Sequence, residues 1–323
     1  MALNRTFKLN NGNLIPAVGF GTWKAPPHQV ETAVEHALRA GFRHIDCAPI
    51  YRNEGEVGRG IKKSNVKRED IFITTKLWNT KHDPKDVEAA LDQSLKDLGT
   101  TYVDLYLMHW PIAFEAGARL FPIDNDGNFK TSDIDFVDTW EAMTKLLHTG
   151  KAKAIGVSNM TIAHLNTLLS KSSVVPAANQ MEAHPYLQQP ELLRFCKKHN
   201  ILLQAYSPLG NNVQGFTRCI DDSRIIETAE RLGKKPAQLL ISWAVQRGIC
   251  VLTKSVTEAR IRENYEDFIV PDDVMDEIYA MDLNRRQNGQ LHWGIDPFGE
   301  ENEETVREVA KARASQNKID FVV

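Results

Sequence analysis

From about residue 17 to residue 281 the chain alternates short apolar runs with amphipathic stretches of helical period, and this rhythm narrows its choice of fold. Apolar runs at residues 17–20, 43–47, 71–76, 103–109, 152–157, 175–180, 201–206 and 249–252 read as strands. Stretches at 29–40, 54–62, 84–98, 136–147, 162–169, 190–198 and 237–245 read as helices, with two more at 257–265 and 274–281. No sequence repeat accompanies the rhythm. About eight strand–helix units predict an α/β chain closed into a (β/α)8 TIM barrel of parallel strands. An open doubly wound sheet would carry a dinucleotide fingerprint after its first strand. Here Gly19-Phe20-Gly21 is followed by Lys24 where the third glycine should stand.

Three segments stand outside the rhythm. Residues 7–15 read as an N-terminal β-hairpin turning at Asn11-Gly12, expected to plug the bottom of the barrel. Residues 110–135 form a long connection with a polar tip, Asp124-Asn125-Asp126-Gly127, and connections of that length are usually functional. The tail, 284–323, begins loop-like and ends in a charged stretch at 300–318 that reads as a solvated helix. No linker divides the chain, so a single domain over 1–323 is expected, with long substrate loops at the C-terminal face.

Composition removes several function classes. Lys and Arg number 39 against 42 Asp and Glu, and both signs are dispersed, so no basic stripe is left for nucleic acid. No run of about 18 apolar residues predicts a membrane span. Residues 1–12 lack a signal-peptide core. The four cysteines (Cys47, Cys196, Cys219 and Cys250) lie too far apart for a zinc knuckle or a disulfide framework. A reduced, cytoplasmic protein is expected. The histidines show no metal-ligand spacing, and no Gly-x-Ser-x-Gly elbow occurs, so no metal site is expected. No tyrosine has a lysine four residues later, which disfavours a short-chain reductase on an open sheet.

Barrel active sites lie at the C-terminal ends of the strands, and there the polar residues need a reason. The second strand ends in Asp46, the third in Lys76 and the fourth in His109, with Tyr51 on the loop after the second. Singly, each has an ordinary account: a turn cap, a surface charge, a core histidine, an unremarked tyrosine. Together they suit carbonyl reduction. Hydride addition builds negative charge on oxygen that needs a proton, and a tyrosine, with a pKa of about 10, is normally a poor donor. A buried ammonium beside it is expected to lower that pKa. A carboxylate makes burial of the ammonium tolerable. A neutral imidazole donates to the carbonyl oxygen. Tyr51, Lys76, Asp46 and His109 fill these roles in that order.

Gly41-Phe42-Arg43-His44-Ile45-Asp46, followed by Tyr51, Asn53 and Glu54, resembles the first signature of the aldo-keto reductase family. Ile155-Gly156-Val157-Ser158-Asn159 and Thr253-Lys254-Ser255 resemble the second and third. The likeness covers about residues 7–290 and is greatest to fungal and yeast members: glycerol (glyceraldehyde) dehydrogenases, xylose reductases and related sugar-aldehyde reductases. It implies NADPH-dependent reduction of a small polar or sugar aldehyde, of glyceraldehyde, aldose or uronate type, by a tetrad in the roles above. It also implies a cofactor site. Ser158, Asn159 and Gln180 match carboxamide-holding positions, Tyr206 the stacking aromatic, and Thr22 and Trp23 the nicotinamide end. Ser207, Leu209 and Asn211 follow Tyr206. Trp23, Trp78 and Trp110, with Tyr51 and His109, would wall the substrate pocket.

Many animal relatives have a Ser and an Asp after the glycine corresponding to Gly210, where this chain reads Asn211-Asn212-Val213-Gln214, so a latch built on Asp is not expected. For the NADPH 2′-phosphate the match points to Lys254, Ser255, Val256, Thr257 and Arg260. Thr257 is expected to cap a helix whose first turn is an anion site, with Arg260 reaching back to the phosphate. Glu263 and Asn264 match adenine-contacting positions. The expected partner is a small carbonyl compound, and a monomer is expected rather than a dimer. A cofactor-sensing subunit without turnover is the alternative on the same barrel.

Overall fold

The computed structural model describes residues 2–211, 215 and 217–320. Eight parallel strands close into a barrel in the order β10-β3-β4-β5-β6-β7-β8-β9. They are β3 (Val18–Gly21), β4 (His44–Asp46), β5 (Phe72–Leu77), β6 (Leu105–Met108), β7 (Ile155–Ser158), β8 (Ala178–Glu182), β9 (Leu202–Tyr206) and β10 (Cys250–Thr253). Each is three to six residues long, and seven of the eight read as continuous or nearly continuous buried runs, as strands covered on both faces must. The register pairs Asp46 with both Gly21 and Thr74, and Lys76 with Leu107, so the polar strand ends rise to one rim.

The helices of the ring are α1 (Val30–Ala40), α2 (Glu54–Ser64), α3 (Val87–Leu98), α4 (Phe136–Lys145), α5 (Ile162–Lys171), α6 (Pro190–Lys198), α7 (Ser223–Arg231), α8 (Pro236–Gln246), α9 (Glu258–Tyr265) and α10 (Asp272–Tyr279). Their periodicity is what sets their depth. α1 buries Val30, Ala33, Val34, Ala37 and Leu38, the spacing of one helical face. In α8 every residue from Gln238 to Val245 is buried. α7 has no counterpart among the sequence-predicted helices. It buries only Ile225 and Ala229, too thin a stripe to register as a period, and starts at an Asp222 cap that accepts from the Arg224 N–H.

The tail corrects one expectation. Its charged end is a helix, α11 (Glu303–Asp320), but it is not simply solvated. Val306 and Asn317 are buried, and Asn317 Nδ2 donates to the Gly127 carbonyl at 3.0 Å. Gly127 has φ +91°, and a Cβ there would meet the Ala314 carbonyl oxygen at 2.0 Å, so glycine is required at this contact. The helix thus rests on the tip of the 110–135 connection. That connection is itself folded back through bridges between Phe114 and Thr131 and between Ile123 and Phe129.

At the opposite end, β1 (Thr6–Lys8) and β2 (Leu14–Pro16) form the expected hairpin. Leu9 and Ile15 pack with Phe72, Leu105, Ala154, Ala177, Ala178 and Cys250, all at or just before the starts of barrel strands. Asn10 Nδ2 donates to the carbonyls of Val175 and Pro176, and Asn11 Nδ2 to that of Lys153. The hairpin is therefore a plug. Ile15 is fully buried, so Ile15→Ala should destabilise by about 2–5 kcal/mol. Thermal unfolding should show the loss, while the folded fraction keeps its specific activity because the rim is at the other end. A drop in turnover without a drop in Tm would contradict this placement.

Candidate active site

The rim brings Asp46, Tyr51, Lys76 and His109 together. Asp46 closes β4, Lys76 is the penultimate residue of β5, His109 follows β6, and Tyr51 ends a short turn of helix at Pro49–Tyr51. Lys76 is fully buried. Its Nζ donates to Asp46 Oδ2 at 2.7 Å and to the Cys47 carbonyl at 3.0 Å, and lies 5.3 Å from the centre of the Tyr51 ring. The Tyr51 and His109 rings meet edge-on, 5.9 Å apart. The second Asp46 oxygen accepts from Gln180 Nε2 at 2.8 Å.

Burial is the largest influence on Lys76, His109 and Tyr51. It pulls the Lys76 ammonium towards neutrality, but the Asp46 carboxylate, with Tyr51, outweighs it and holds the pKa above the ordinary lysine value. His109 is held well below the usual histidine range by burial and then by the Lys76 charge, so its imidazole is neutral. Tyr51 departs from expectation. Lys76 does act to lower its pKa, but burial acts more strongly, Asp46 adds to burial, and the net pKa is pushed up to about 12. Tyr51 therefore keeps its proton at neutral pH.

The polar residues matched to cofactor positions form one connected cluster. Ser158 Oγ donates to the Gln180 carbonyl at 2.8 Å, and Asn159 Nδ2 donates to the His109 carbonyl at 2.9 Å. Tyr206 OH donates to Asn159 Oδ1 at 2.7 Å. Thr22 Oγ1 donates to the Asp46 carbonyl at 3.0 Å. Beyond Tyr206, Ser207 has φ +51°, Leu209 packs on the core, and Ser207 Oγ accepts from Asn211 Nδ2 at 3.5 Å. Residues 212–214, where the sequence departs from the animal pattern, lie outside the described residues.

Around β10, Ser255 Oγ accepts from the Thr257 N–H, and Val256 packs on the core. Thr257 occupies the position before α9 but does not cap it as expected. Its hydroxyl instead accepts from Arg260 Nη2 at 2.7 Å. Lys254 Nζ donates to the Lys24 carbonyl at 3.1 Å. Burial, and then the nearby Arg260 charge, lower the Lys254 pKa. Among the described residues neither cation has a carboxylate partner, which is the charge pattern an anion would complete. Glu263 and the buried Asn264 lie one turn further along α9.

Trp78 and Trp110 are buried in one aromatic cluster with Phe114 and Trp293. Trp78 meets the His109 ring at 5.2 Å, so the cluster abuts the rim. Trp23 is not in it: 36% exposed, it carries Lys24 Nζ 4.6 Å over its ring. Sequence reasoning missed Trp293, whose ring lies 5.0 Å from Trp110. An indole in the loop-like start of the tail, where a solvated segment has no use for one, was the available signal. It also missed Glu182, a buried carboxylate at the end of β8, because the strand was expected to stop at Gln180.

The matrix of short strands, rim tetrad and plug has known counterparts. The model of the Aldo/keto reductase family matches residues 17–282. The chain belongs to the aldo/keto reductase family. It is 42% identical to a D/L-glyceraldehyde reductase of Hypocrea jecorina, over 96% of this chain and 99% of the relative. It is 48% identical to an aldehyde reductase of Saccharomyces cerevisiae, over 83% and 88% of the two chains. The solved aldose reductase of Schistosoma japonicum superposes with a TM-score of 0.84 at 39% identity, covering 89% of this chain and 95% of the other. As a family member the protein is an oxidoreductase of carbonyl and CH–OH groups that uses a nicotinamide cofactor. No helix among the described residues is long and apolar enough to cross a membrane.

The histidines give the family fold a pH dependence whose sign is fixed. His44 is pulled down to about 4 and His82 to about 3, both by burial first, and His109 lies well below its ordinary value. In the unfolded chain each takes up a proton near pH 6.5, and in the folded chain none does until lower pH. Their contribution is therefore full above about pH 6.5 and is lost as pH falls towards 4. With three such groups the slope approaches roughly 4 kcal/mol per pH unit. Urea unfolding between pH 7.5 and 5.5 should show the fall, and His82→Leu should remove about a third of the slope. A flat profile would mean that these imidazoles are not held neutral.

Proposed function

We propose that the protein reduces a small, neutral polar aldehyde to the alcohol with NADPH, Tyr51 giving the proton. What carries this reading is the fully buried Lys76–Asp46 pair under a tyrosine that keeps its proton, beside a neutral imidazole. NADPH, when bound, supplies the hydride. The Tyr51 hydroxyl protonates the carbonyl oxygen as negative charge develops there. His109 donates a hydrogen bond to the same oxygen and sets its angle. Lys76 stabilises the charge left on Tyr51, and Asp46 keeps Lys76 charged. Ser158, Asn159, Gln180 and Tyr206 would hold the nicotinamide end, and Lys254, Ser255 and Arg260 the 2′-phosphate.

The arginines favour a neutral substrate over a uronate. Arg218 is paired with Asp221, Arg286 with Glu300, and Arg285 lies over the Tyr186 ring, while Arg119 is exposed on the long connection. The glyceraldehyde reductase among the relatives points the same way. Comparing kcat/KM for glyceraldehyde, pentoses and uronates is the test, and a clear preference for uronates would reject the neutral class.

Tyr51→Phe removes the proton donor and leaves the pocket, so kcat should fall about 10²–10⁴-fold while NADPH binding stays near wild type. Retention of most of the activity would sink the role. If the wild-type protein binds NADPH but consumes none across the aldehyde panel, it is a cofactor sensor instead. Arg260→Ala should weaken NADPH binding by roughly ten- to a hundredfold, since a hydrogen bond to a charged group is worth about 1.5–3 kcal/mol. NADH binding should barely change. Tryptophan fluorescence titration with both cofactors decides it, and equal losses would refute the phosphate assignment.

A further inference from the structure

The carboxamide of Gln287 joins three parts of the fold that are remote in sequence. It lies in the tail, outside all three family signatures, and is fully buried. Its Oε1 accepts from the Asn211 N–H at 2.7 Å, and its Nε2 donates to the Thr217 carbonyl at 3.2 Å. Those two backbone groups stand at either end of the segment that follows Tyr206, Ser207 and Leu209. The Gln287 N–H donates to Glu182 Oε1 at 2.8 Å, and the Asn288 N–H to Glu182 Oε2 at 2.8 Å. Glu182 ends β8 and also takes His184 Nε2 at 2.8 Å, and His184 Nδ1 lies 3.6 Å from the Cys219 thiol. Gln287, Glu182, His184 and Cys219 are buried, whereas Asn211 is half-buried and Thr217 exposed, so the carboxamide holds the half-open stems from the buried side.

We propose that Gln287 is a positioning residue for the cofactor: its side chain sets the separation of Asn211 and Thr217 and fixes both to the barrel through Glu182. The geometry around it is tight. Gly210 has φ +75°, and a Cβ there would lie 2.6 Å from the Cys219 nitrogen, so the two stems already touch below the carboxamide. The Ile220 N–H donates to the Leu209 carbonyl at 3.1 Å and closes the same stems. The tail around Gln287 also reaches the ring assigned to the nicotinamide. Burial, then Glu182, raise the Tyr206 pKa, while Arg286 and a hydrogen bond from Asn288 oppose them. One amide thus fixes the chain leaving the Tyr206 end of β9, and a short tail segment joins it to Trp293 in the aromatic wall. The inference rests on the cofactor reading above, since it assigns Gln287 an effect on the residues proposed to hold NADPH.

Gln287→Met keeps the length and removes both side-chain hydrogen bonds. The Asn211 N–H and the Thr217 carbonyl then lose the bonds that tie them to the buried tail. In the apo protein, hydrogen exchange at the Asn211 and Ile220 amides, read by NMR, should accelerate at least about tenfold. In stopped-flow fluorescence, NADPH should dissociate at least about tenfold faster, with a smaller change in the aldehyde KM. If the methionine variant does not fold, Gln287→Asn, one methylene too short to span both groups, is measured in its place. A folded variant with unchanged exchange and an unchanged dissociation rate overturns the proposal, as does a loss confined to Tm. Faster exchange in a protein whose wild type binds neither NADPH nor NADH would keep the clamp but reject the cofactor reading, and with it the positioning role.

Discussion

The barrel mouth is organised around one ammonium group that water does not reach. Burying Lys76 costs several kcal/mol unless the charge is met by an opposite charge and by hydrogen bonds. Asp46 Oδ2 and the Cys47 carbonyl meet it from β4 and the residue after it. The remaining Asp46 oxygen is met from across the barrel by Gln180, whose amide also donates to Gln204 Oε1 at 3.1 Å. One charge therefore ties β4 and β5 to β8 and β9. This is why a short-stranded barrel can carry polar side chains at its top without loosening. The apolar plug at the other end carries no such demand, and it is built from Leu, Ile, Phe and Ala instead.

Much of this was legible in the chain because barrels are periodic. Every barrel strand overlaps an apolar run, and the rim residues follow from asking which strand ends are polar. What was not legible has physical reasons. α7 buries two side chains, and a stripe of two gives no period. The β8 strand runs on to Glu182 because a buried carboxylate is tolerated once it accepts two backbone N–H groups from the tail, and no local pattern announces partners more than a hundred residues away. Thr257 has the residue type of a cap, yet the guanidinium one turn on takes its hydroxyl. Propensity ranks caps, but it does not know what competes for them.

The tail is the part that sequence rhythm describes least and that the mouth uses most. It supplies Trp293 to the aromatic wall, Gln287 to the stems after β9, and a helix that rests on the tip of the 110–135 connection. These are long-range contacts made by a segment with little core of its own. Arg286 illustrates the economy: its side chain is 7% exposed, pairs with Glu300, and lies 3.6 Å over the Phe298 ring. Such a residue spends its charge inside the tail, holding it in shape. Its charge is thereby matched within the tail rather than turned towards the mouth.

Within the proposed mechanism, the balance at Tyr51 also bears on direction. Reduction needs a tyrosine that holds a proton, and oxidation of an alcohol needs the phenolate. With its pKa pushed up to about 12, Tyr51 is protonated at neutral pH. Burial sets that value, and Lys76 is the counterweight that keeps it from rising further. At rest the site therefore holds the proton that reduction needs, although the pKa raised by burial also makes Tyr51 a weaker acid until charge on the carbonyl oxygen draws that proton off. Lys76 does not reverse this, because burial outweighs it and Asp46 adds to burial. Burial limits how much phenolate exists beforehand, and the Lys76 charge is what makes it tolerable after proton transfer.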